Sequence, residues 1–474
     1  MGRIPPRHAT GTGRIPRGAG REPIGTASAV RLGQAVDRVV LPSINGQDMS
    51  MVKAIQTALP FASDSQLRAM AQEYGTPLYV HDESSYRRYG KEALAVPNAF
   101  GLFVRYAMKA NSHRAILHIF DSLGIGIDAS STFEVHRALA AGIAPGQIQL
   151  TSQQVPTPAC LKELVELGVA YNCTSLAQLE LFAELFPGSA YPLSVRMNPG
   201  LGSGHSNRTN TGGPSASFGI WREYLPEVRD IARRHSLTIS RLHSHVGSGS
   251  DWRVWQKAAR LTLDIAGDLP DVHTVNVGGG YKIDRMEPDK SINFQTAFQP
   301  VKEAFEEFAA ETSRRVRLEI EPGTYLAANS CLLLARVNDI VDTGKDGYRF
   351  LKLDASMTEL LRPMLYGARH PIRLLDRPEM ATTPYVVVGT CCESGDIFTP
   401  KQGNPEEIDT VLLPEARRGD YVAVMGVGAY GSAMCARNYN SRPACAEVMI
   451  ALDASHRLIT RAQEPQEIWA RELP

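Results

Sequence analysis

The chain has 474 residues, which by length alone allows roughly two to four domains. Its 50 Lys and Arg residues balance 50 Asp and Glu residues, and this zero formal charge argues against a nucleic-acid-binding or membrane-surface protein. No stretch approaches about 18 consecutive apolar residues, so no transmembrane helix is predicted. Seven scattered cysteines are unlike a secreted disulfide framework and indicate a reducing, cytoplasmic compartment.

Residues 1–50 are expected to be a disordered extension. They are rich in Arg, Gly and Pro, and residues 1–33 contain a single acid, Glu22. Such a segment buries too little apolar surface to offset the entropy cost of ordering it, and it lacks the apolar core of a secretory signal. A transit peptide, a cloning remnant and a start codon placed too early all remain open, with Met49 and Met51 as alternative starts.

Next comes an N-terminal segment, residues 51–84, with a helix predicted from Ser63 to Gly75 and a short strand at 77–80. Strand-like apolar runs then alternate with amphipathic stretches. The predicted strands are Leu102–Met108, Ile125–Asp128, Gln147–Leu150, Leu193–Met197, Ile239–His245, Thr274–Val277 and Val316–Ile320. Seven or eight such units over residues 85–327 predict an α/β fold, a (β/α)8 barrel, with a doubly wound sheet as the alternative.

From residue 328 to 474 the pattern changes to short strands separated by Gly, Pro and Asp, with little helical periodicity. This predicts a C-terminal, mostly β domain.

Chemically distinctive residues stand where predicted barrel strands end, the place where barrel enzymes position their active sites. Lys109 ends the first such strand and is either a Schiff-base nucleophile or a surface lysine. His243 and His245 alternate on a later strand; they could ligate a metal, but no acid or thiol follows at ligand spacing, and one of them could be a core histidine. We therefore predict no metal site.

Two further strand ends suit a phosphorylated, nitrogen-containing ring. Ser248 and the run Gly278, Gly279 and Gly280 form loops whose backbone N–H groups can approach an anion, although a glycine run alone can also be a turn. Glu321 brings a carboxylate that could pair with a cationic ring nitrogen or remain a solvated loop acid. Taken together, these groups indicate a pyridoxal phosphate (PLP) site.

At this point the chain resembles a known family. The motifs that carry the resemblance are Tyr106–Asn111, His245–Gly249, Gly278–Gly280, Glu321–Gly323, Cys391–Asp396 and Gly428–Tyr430. They occur in the order found in alanine-racemase-fold (fold type III) decarboxylases, and the chain resembles the diaminopimelate decarboxylase branch over roughly residues 77–448. The resemblance implies a PLP-binding barrel, a C-terminal β domain with a Greek-key-like barrel, and an N-terminal segment that joins the latter.

The resemblance also implies roles for the residues around the cofactor. Lys109 would hold PLP covalently, His245 would lie against the pyridine ring, and Glu321 would keep the ring nitrogen protonated, which makes the ring a strong electron sink. The phosphate would be held by Ser248, Gly278, Gly279, Gly280 and Tyr430. Asp128 and Glu134 match acidic positions near the cofactor in relatives; otherwise they are a polar strand end and a helix cap.

By the same resemblance, Cys392 would reach the substrate from a partner subunit and handle the proton after CO2 leaves. Racemases of this fold use a tyrosine there, so the motif favours decarboxylation, while Cys391 is expected to be a packing residue. A site completed by two subunits implies a homodimer with an isologous interface. The small-molecule substrate would contact Arg362, Tyr366, Glu393 and Tyr430, with Arg362 binding a carboxylate and Glu393 the distal ammonium.

Two positions depart from the family pattern. Thr324 stands where an arginine usually contacts substrate, and Ser217 stands where a lysine is usual. His205 or Arg208 could compensate. The departures resemble a subgroup that includes D-ornithine and D-lysine decarboxylases, which also act at a D-configured α-carbon.

The sequence therefore predicts a PLP-dependent carboxy-lyase. The first expectation is conversion of meso-diaminopimelate to L-lysine and CO2, a step of lysine biosynthesis. Decarboxylation of D-ornithine or D-lysine to putrescine or cadaverine is the alternative. The non-enzyme alternative is a catalytically silent binding protein of the same fold, which should have lost Lys109 or Cys392; this chain has both.

Overall fold

The structure is a computed structural model that describes residues 59–203, 210–249, 251–286 and 290–473. By their contacts, all the described residues belong to one unit. None of the helices in the described ranges combines the length and the apolar character needed to cross a membrane.

The elements follow one another as the alternation predicts. The N-terminal pair is α1 (Asp64–Tyr74) and β1 (Leu78–Asp82). Next are α2 (Glu83–Leu94), β2 (Leu102–Ala107), α3 (Arg114–Asp121), β3 (Gly126–Ala129), α4 (Thr132–Ala140), β4 (Ile148–Leu150), α5 (Pro158–Leu167), β5 (Ala170–Cys173), α6 (Leu176–Leu185), β6 (Leu193–Asn198), β7 (Ile220–Trp221), α7 (Leu225–Arg234), β8 (Ile239–His243), α8 (Arg253–Gly267), β9 (Thr274–Asn276), α9 (Phe294–Thr312), β10 (Arg317–Ile320) and α10 (Thr324–Ala327).

Eight parallel strands, β2 to β6 and β8 to β10, close into a barrel. Strand β2 pairs with β3 and with β10, and the ring is completed by the pairing of β5 with β6. Strand β7 adds to β6 outside the ring. This closure confirms the predicted (β/α)8 barrel and excludes a doubly wound sheet, whose outer strands remain unpaired.

The floor of the barrel contains a buried ion network. Glu319 on β10 forms ion pairs with Arg105 on β2 and Arg241 on β8, and Arg241 Nη2 also donates to Gln149 Oε1 at 2.7 Å. Burial raises the pKa of Glu319, but the two guanidinium groups outweigh burial and the net pKa is lowered. Barrel interiors are usually filled by branched apolar side chains, so this polar layer departs from the common pattern.

The remaining chain forms the predicted mostly β domain. Its elements are β11 (Cys331–Asp342), β12 (Arg349–Leu353), α11 (Arg362–Tyr366), β13 (Ile372–Leu374), β14 (Thr382–Val388), β15 (Pro400–Lys401), β16 (Asn404–Ile408), β17 (Val411–Pro414), β18 (Tyr421–Met425), β19 (Ala446–Ile450), β20 (His456–Thr460) and α12 (Gln466–Trp469). One sheet runs in the order β17-β14-β12-β11-β1-β19-β20, and β18 joins it through β11. Strand β1 is thus sandwiched between β11, antiparallel, and β19, parallel.

The two parts meet at the C-terminal end of the barrel. The backbone N–H of Tyr430 donates to the carbonyl of Ala110 at 2.8 Å, and Asn111 Nδ2 donates to the carbonyl of Gly428 at 3.3 Å. These bonds place the loop after β18 directly beside the turn that carries Lys109.

Candidate active site

A cavity of about 970 Å³ opens at the C-terminal ends of the barrel strands. Barrel loops line one side, and the β domain lines the other with α11 and the β15–β16 hairpin. The cavity collects most of the side chains singled out in the sequence. Those residues are Lys109, Asp128, His243, His245, Ser248, Gly279, Gly280, Glu321, Thr324, Arg362, Tyr366 and Tyr430.

Lys109 lies in a single helical turn that follows β2. Its neighbours Met108 and Ala110 are buried in the barrel core, whereas the Lys109 side chain is exposed and lines the cavity. The turn therefore fixes the backbone and presents the amine to the cavity, as a covalent attachment site requires.

Glu321, just after β10, is held by three side chains. Its Oε1 accepts hydrogen bonds from Gln149 Nε2 at 2.8 Å and from Asn276 Nδ2 at 2.7 Å, and its Oε2 lies 3.1 Å from His243 Nε2. Burial alone would raise the pKa of Glu321, but His243 and the hydrogen bonds outweigh it and lower the pKa below its ordinary value. Glu321 is therefore a buried carboxylate that stays charged.

Asp128, at the end of β3, behaves in the opposite way. Burial and the nearby charge of Glu321 raise its pKa to about 8, although Thr151 Oγ1 donates to Asp128 Oδ1 at 2.7 Å and Gln149 Nε2 at 3.3 Å. Because Arg241 occupies Gln149 Oε1, the Gln149 amide can only donate towards the two acids. One amide thus joins a charged and a neutral carboxyl group.

His243 and His245 do different things. The backbone N–H of Gly279 donates to His245 Nδ1 at 3.0 Å, so the ring proton is on Nε2. Burial and the charges of Arg196 and Lys109 lower the pKa of His245 well below its usual value, which keeps the ring neutral. His243 bonds Glu321 instead. In the described ranges no three His, Cys, Asp or Glu residues are grouped as metal ligands.

The glycine run after β9 makes close backbone approaches that a side chain would block. A Cβ on Gly279 would lie 2.0 Å from the carbonyl oxygen of Glu321, and one on Gly280 would lie 2.0 Å from that of Gly247. Gly278 does not line the cavity; its carbonyl accepts from the Glu321 backbone N–H at 2.8 Å. The run therefore ties the loop after β9 to the loops after β8 and β10.

On the β-domain side, Arg362 begins α11 and lies near two tyrosines. Its guanidinium carbon is 5.9 Å from the ring centre of Tyr366 and 6.0 Å from that of Tyr430. Thr324, the first residue of α10, also lines the cavity, and a threonine there supplies no positive charge.

Besides Gly278, four residues named in the sequence analysis do not line the cavity of a single chain. Cys392 is exposed and its backbone N–H donates to Asn440 Oδ1 at 2.7 Å; Glu393 is exposed, and its Oε1 accepts from the backbone N–H of Gly395 at 3.1 Å. Glu134 accepts from the backbone N–H of Ser130 at 2.6 Å at the start of α4, a capping role. Ser217 is exposed. His205 and Arg208 lie outside the described residues.

Several residues in or under the cavity were missed by the sequence analysis. Gln149 and Asn276 hold Glu321, and Lys282 and Arg285 line the cavity from the loop that follows the glycine run. Arg196 also lines it, with its guanidinium carbon 5.3 Å from the Phe218 ring centre. The only available signal was a polar residue within a short, otherwise largely apolar strand, which Gln149, Asn276 and Arg196 share.

The residues present fit PLP. A charged carboxylate suits a protonated ring nitrogen, an exposed lysine suits the aldehyde, and the volume is within the range of cofactor sites. In addition, His243 lines the cavity, and its buried Nδ1 has no hydrogen-bond partner among the described residues.

Comparison with known proteins agrees with this site. Residues 87–328 match a family model described as "Pyridoxal-dependent decarboxylase, pyridoxal binding domain". The chain is 34% identical over 428 residues to diaminopimelate decarboxylase of Escherichia coli strain K12, covering 87% of this chain and 99% of the relative. It is 36% identical over 427 residues to that of Streptomyces coelicolor, covering 88% and 93%.

Solved structures give the same result. A crystal structure of diaminopimelate decarboxylase has a TM-score of 0.79 at 32% identity, covering 87% of this chain and 97% of the other. The Helicobacter pylori enzyme complexed with L-lysine has a TM-score of 0.75 at 28% identity, covering 85% and 98%. The chain belongs to the diaminopimelate decarboxylase family of pyridoxal-dependent decarboxylases, whose cofactor is pyridoxal phosphate.

Proposed function

We propose that this enzyme decarboxylates meso-diaminopimelate at its D-configured α-carbon and releases L-lysine and CO2. The observation that carries the proposal is the single cavity that collects Lys109, Glu321, Arg362 and Tyr430 at the mouth of the barrel. The similarity to the diaminopimelate decarboxylases of Escherichia coli and Streptomyces coelicolor supports the choice of substrate.

In this proposal, barrel residues together with Tyr430 of the β domain would hold the cofactor. Lys109 Nζ would attach its aldehyde, the neutral His245 would contact its ring, and the Glu321 carboxylate would favour a proton on its ring nitrogen. Ser248, Tyr430, Gly279 and Gly280 would bind the phosphate, and Gly278 would hold the glycine run in place through its bond to Glu321. When bound, PLP supplies the electron-accepting ring that makes loss of CO2 from an α-carbon feasible.

The substrate contacts come from the β domain. Arg362 binds a substrate carboxylate through its planar fork of donors, and Tyr366 and Tyr430 border the same space. Cys392 and Glu393 lie outside the cavity of their own chain, so we propose that they act in the cavity of a partner subunit. There the Cys392 thiol would hand a proton to the α-carbon, and Glu393 would bind the distal ammonium. This arrangement needs a homodimer.

A direct test measures CO2 release from meso-diaminopimelate, D-lysine and D-ornithine by the purified enzyme, with Lys109→Ala as the inactive control. No release from any of the three would refute a decarboxylase of D-centred diamino acids.

The shared site has its own test: when inactive Lys109→Ala and Cys392→Ala chains are mixed, activity should return, because a mixed dimer contains one intact site. A mixture that stays inactive although the chains exchange would contradict a shared site.

Decarboxylation of D-ornithine or D-lysine is the second candidate. It is favoured by Thr324, which lines the cavity where the family usually has an arginine that contacts substrate. The comparison of the three substrates decides between the two.

We also propose the predicted division into residues 1–50, 51–84, 85–327 and 328–474. The pairing of β1 with β11 and β19 supports it. A cytoplasmic location is proposed as well, with support from seven cysteines that are all free thiols.

A further inference from the structure

The cavity carries positive charge in a place that the family pattern does not use. Thr324 and Ser217 remove the two usual cations, but Lys282 and Arg285 line the cavity from the loop that follows the glycine run. We call these two side chains the basic wall. Neither belongs to the motifs that define the family resemblance.

Arg285 is held at the junction of the barrel and the β domain. Its Nε donates to the carbonyl of Gly426 at 2.9 Å, and its aliphatic chain packs so closely there that a Cβ on Gly426 would lie 3.1 Å from Arg285 Cδ. The preceding residue is also tied down, since Asn329 Nδ2 donates to the carbonyl of Asp284 at 2.9 Å. Backbone contacts therefore fix Nε of the half-buried Arg285 side chain.

Arg285 and Arg362 both lower the pKa of the same buried histidine. His370 is buried, and its pKa is lowered well below the usual value by burial, by Arg285 and by Arg362. Arg285 and Arg362 also line the same cavity, although they come from different domains. Two such groups suit a carboxylate, because each can donate a pair of parallel hydrogen bonds.

The acidic side chains that line the cavity do not belong to the basic wall. Asp128 and Glu321 belong to the hydrogen-bonded network at the strand ends, and Glu406 on the β15–β16 hairpin is the remaining acid that lines the described cavity. Arg369 lines the cavity too, but its charge is matched by Asp409 at 2.6 Å. Lys282, Arg285 and Arg362 line the same cavity as these acids, and such a group of cations suits a substrate carboxylate.

We propose that Lys282 and Arg285 form the subsite for the second carboxylate of the substrate, beside Arg362, and so select a dicarboxylic diamino acid over a monocarboxylic one. This inference rests on the proposed function and names the residues that replace the missing cations.

The test uses ligand pairs that differ by this one carboxylate. Meso-diaminopimelate and D-lysine are the substrate pair, and L-lysine and cadaverine are the corresponding products. For the PLP-loaded Arg285→Met enzyme we expect the KM for meso-diaminopimelate to rise on the order of 10- to 100-fold, and the affinity for L-lysine by calorimetry to fall equally. Turnover of D-lysine and binding of cadaverine should not change. Lys282→Met should act in the same direction, and Arg285→Lys should restore part of the affinity.

Lys290→Met is the matched control, because Lys290 is exposed on the same loop and outside the cavity lining. If Arg285→Met weakens both members of each ligand pair equally, the inference is overturned. It is also overturned if Arg208→Met, and not Arg285→Met, selectively weakens the ligand with the second carboxylate. A loss of PLP affinity without a change in selectivity would assign the basic wall to the cofactor phosphate and also overturn it. If the wild-type enzyme does not turn over meso-diaminopimelate, the proposed function itself fails; normal turnover with an unaffected Arg285→Met variant refutes the subsite alone.

Discussion

Replacing Gly279 by alanine tests whether the close approach of three loops builds the cofactor site. The new Cβ would lie 2.0 Å from the carbonyl oxygen of Glu321 and 2.9 Å from its carbonyl carbon, so the two backbone segments must separate by roughly 1 Å or more. Overpacking of this kind costs about 1–3 kcal/mol. The displaced Gly279 N–H also loses its bond to His245 Nδ1, which adds about 1 kcal/mol. We expect a loss of about 2–4 kcal/mol in the free energy of unfolding.

Urea unfolding of the cofactor-free protein measures the stability, and titration with PLP followed by its absorbance measures the site. Gly267→Ala is the matched control, because a Cβ there would meet no atom within 4 Å and the position lies in α8. That change should stabilise the protein by about 0.5–1 kcal/mol. The reasoning would be refuted if Gly279→Ala unfolded at the same urea concentration as Gly267→Ala and bound PLP as tightly as the wild type.

Three further variants test the surroundings of the site. Asp128 has a folded pKa of about 8, above its unfolded value, so its stabilising contribution is present at low pH and is lost as the pH rises towards 8. The free energy of unfolding of the wild type, measured in urea relative to that of Asp128→Asn, should therefore fall between the ordinary Asp pKa of 3.8 and a pH of about 8. Parallel pH profiles for the two proteins would contradict this prediction. Arg241→Met leaves the buried Glu319 with one cation fewer and should lower the free energy of unfolding by about 3 kcal/mol. The control Arg233→Met breaks an exposed ion pair and should lower it by less than about 1 kcal/mol. Equal urea midpoints for the two variants would contradict this prediction. Arg369→Met removes the ion pair to Asp409 that holds the β15–β16 hairpin beside the cavity. The KM for substrate should therefore rise while the affinity for PLP stays the same. An unchanged KM would contradict a role for this hairpin in substrate binding.

The fold could be predicted from the sequence because each unit of a barrel leaves a local trace. Strand-like runs and amphipathic helices alternate at short range, and the residues at strand ends, such as Lys109 and Glu321, converge once the barrel closes. The partners of Glu321 could not be found in this way. Gln149 and Asn276 reach it across the barrel from two other strands, and only the closed ring sets those distances.

Loop residues were harder still. Arg285 lies in a segment without periodicity, and its place on the cavity wall depends on the contact with Gly426 in the other domain. Cys392 shows a different limit, since its proposed role needs a second chain, and no pattern within one sequence encodes the distance between two subunits.

The position of β1 bears on how the protein is made. Strand β1 ends at Asp82, yet one of its two neighbours, β19, begins only at Ala446. At about 5–20 residues per second, a ribosome needs on the order of tens of seconds to synthesise the intervening chain. By the end of that interval the barrel sequence is complete, whereas the edge of β1 that pairs with β19 is still exposed to pairing with other chains. Proteins of this design should therefore depend on chaperones for the first strand more than for the barrel, and loss of the last 30 residues should cause aggregation before it affects the chemistry of the site.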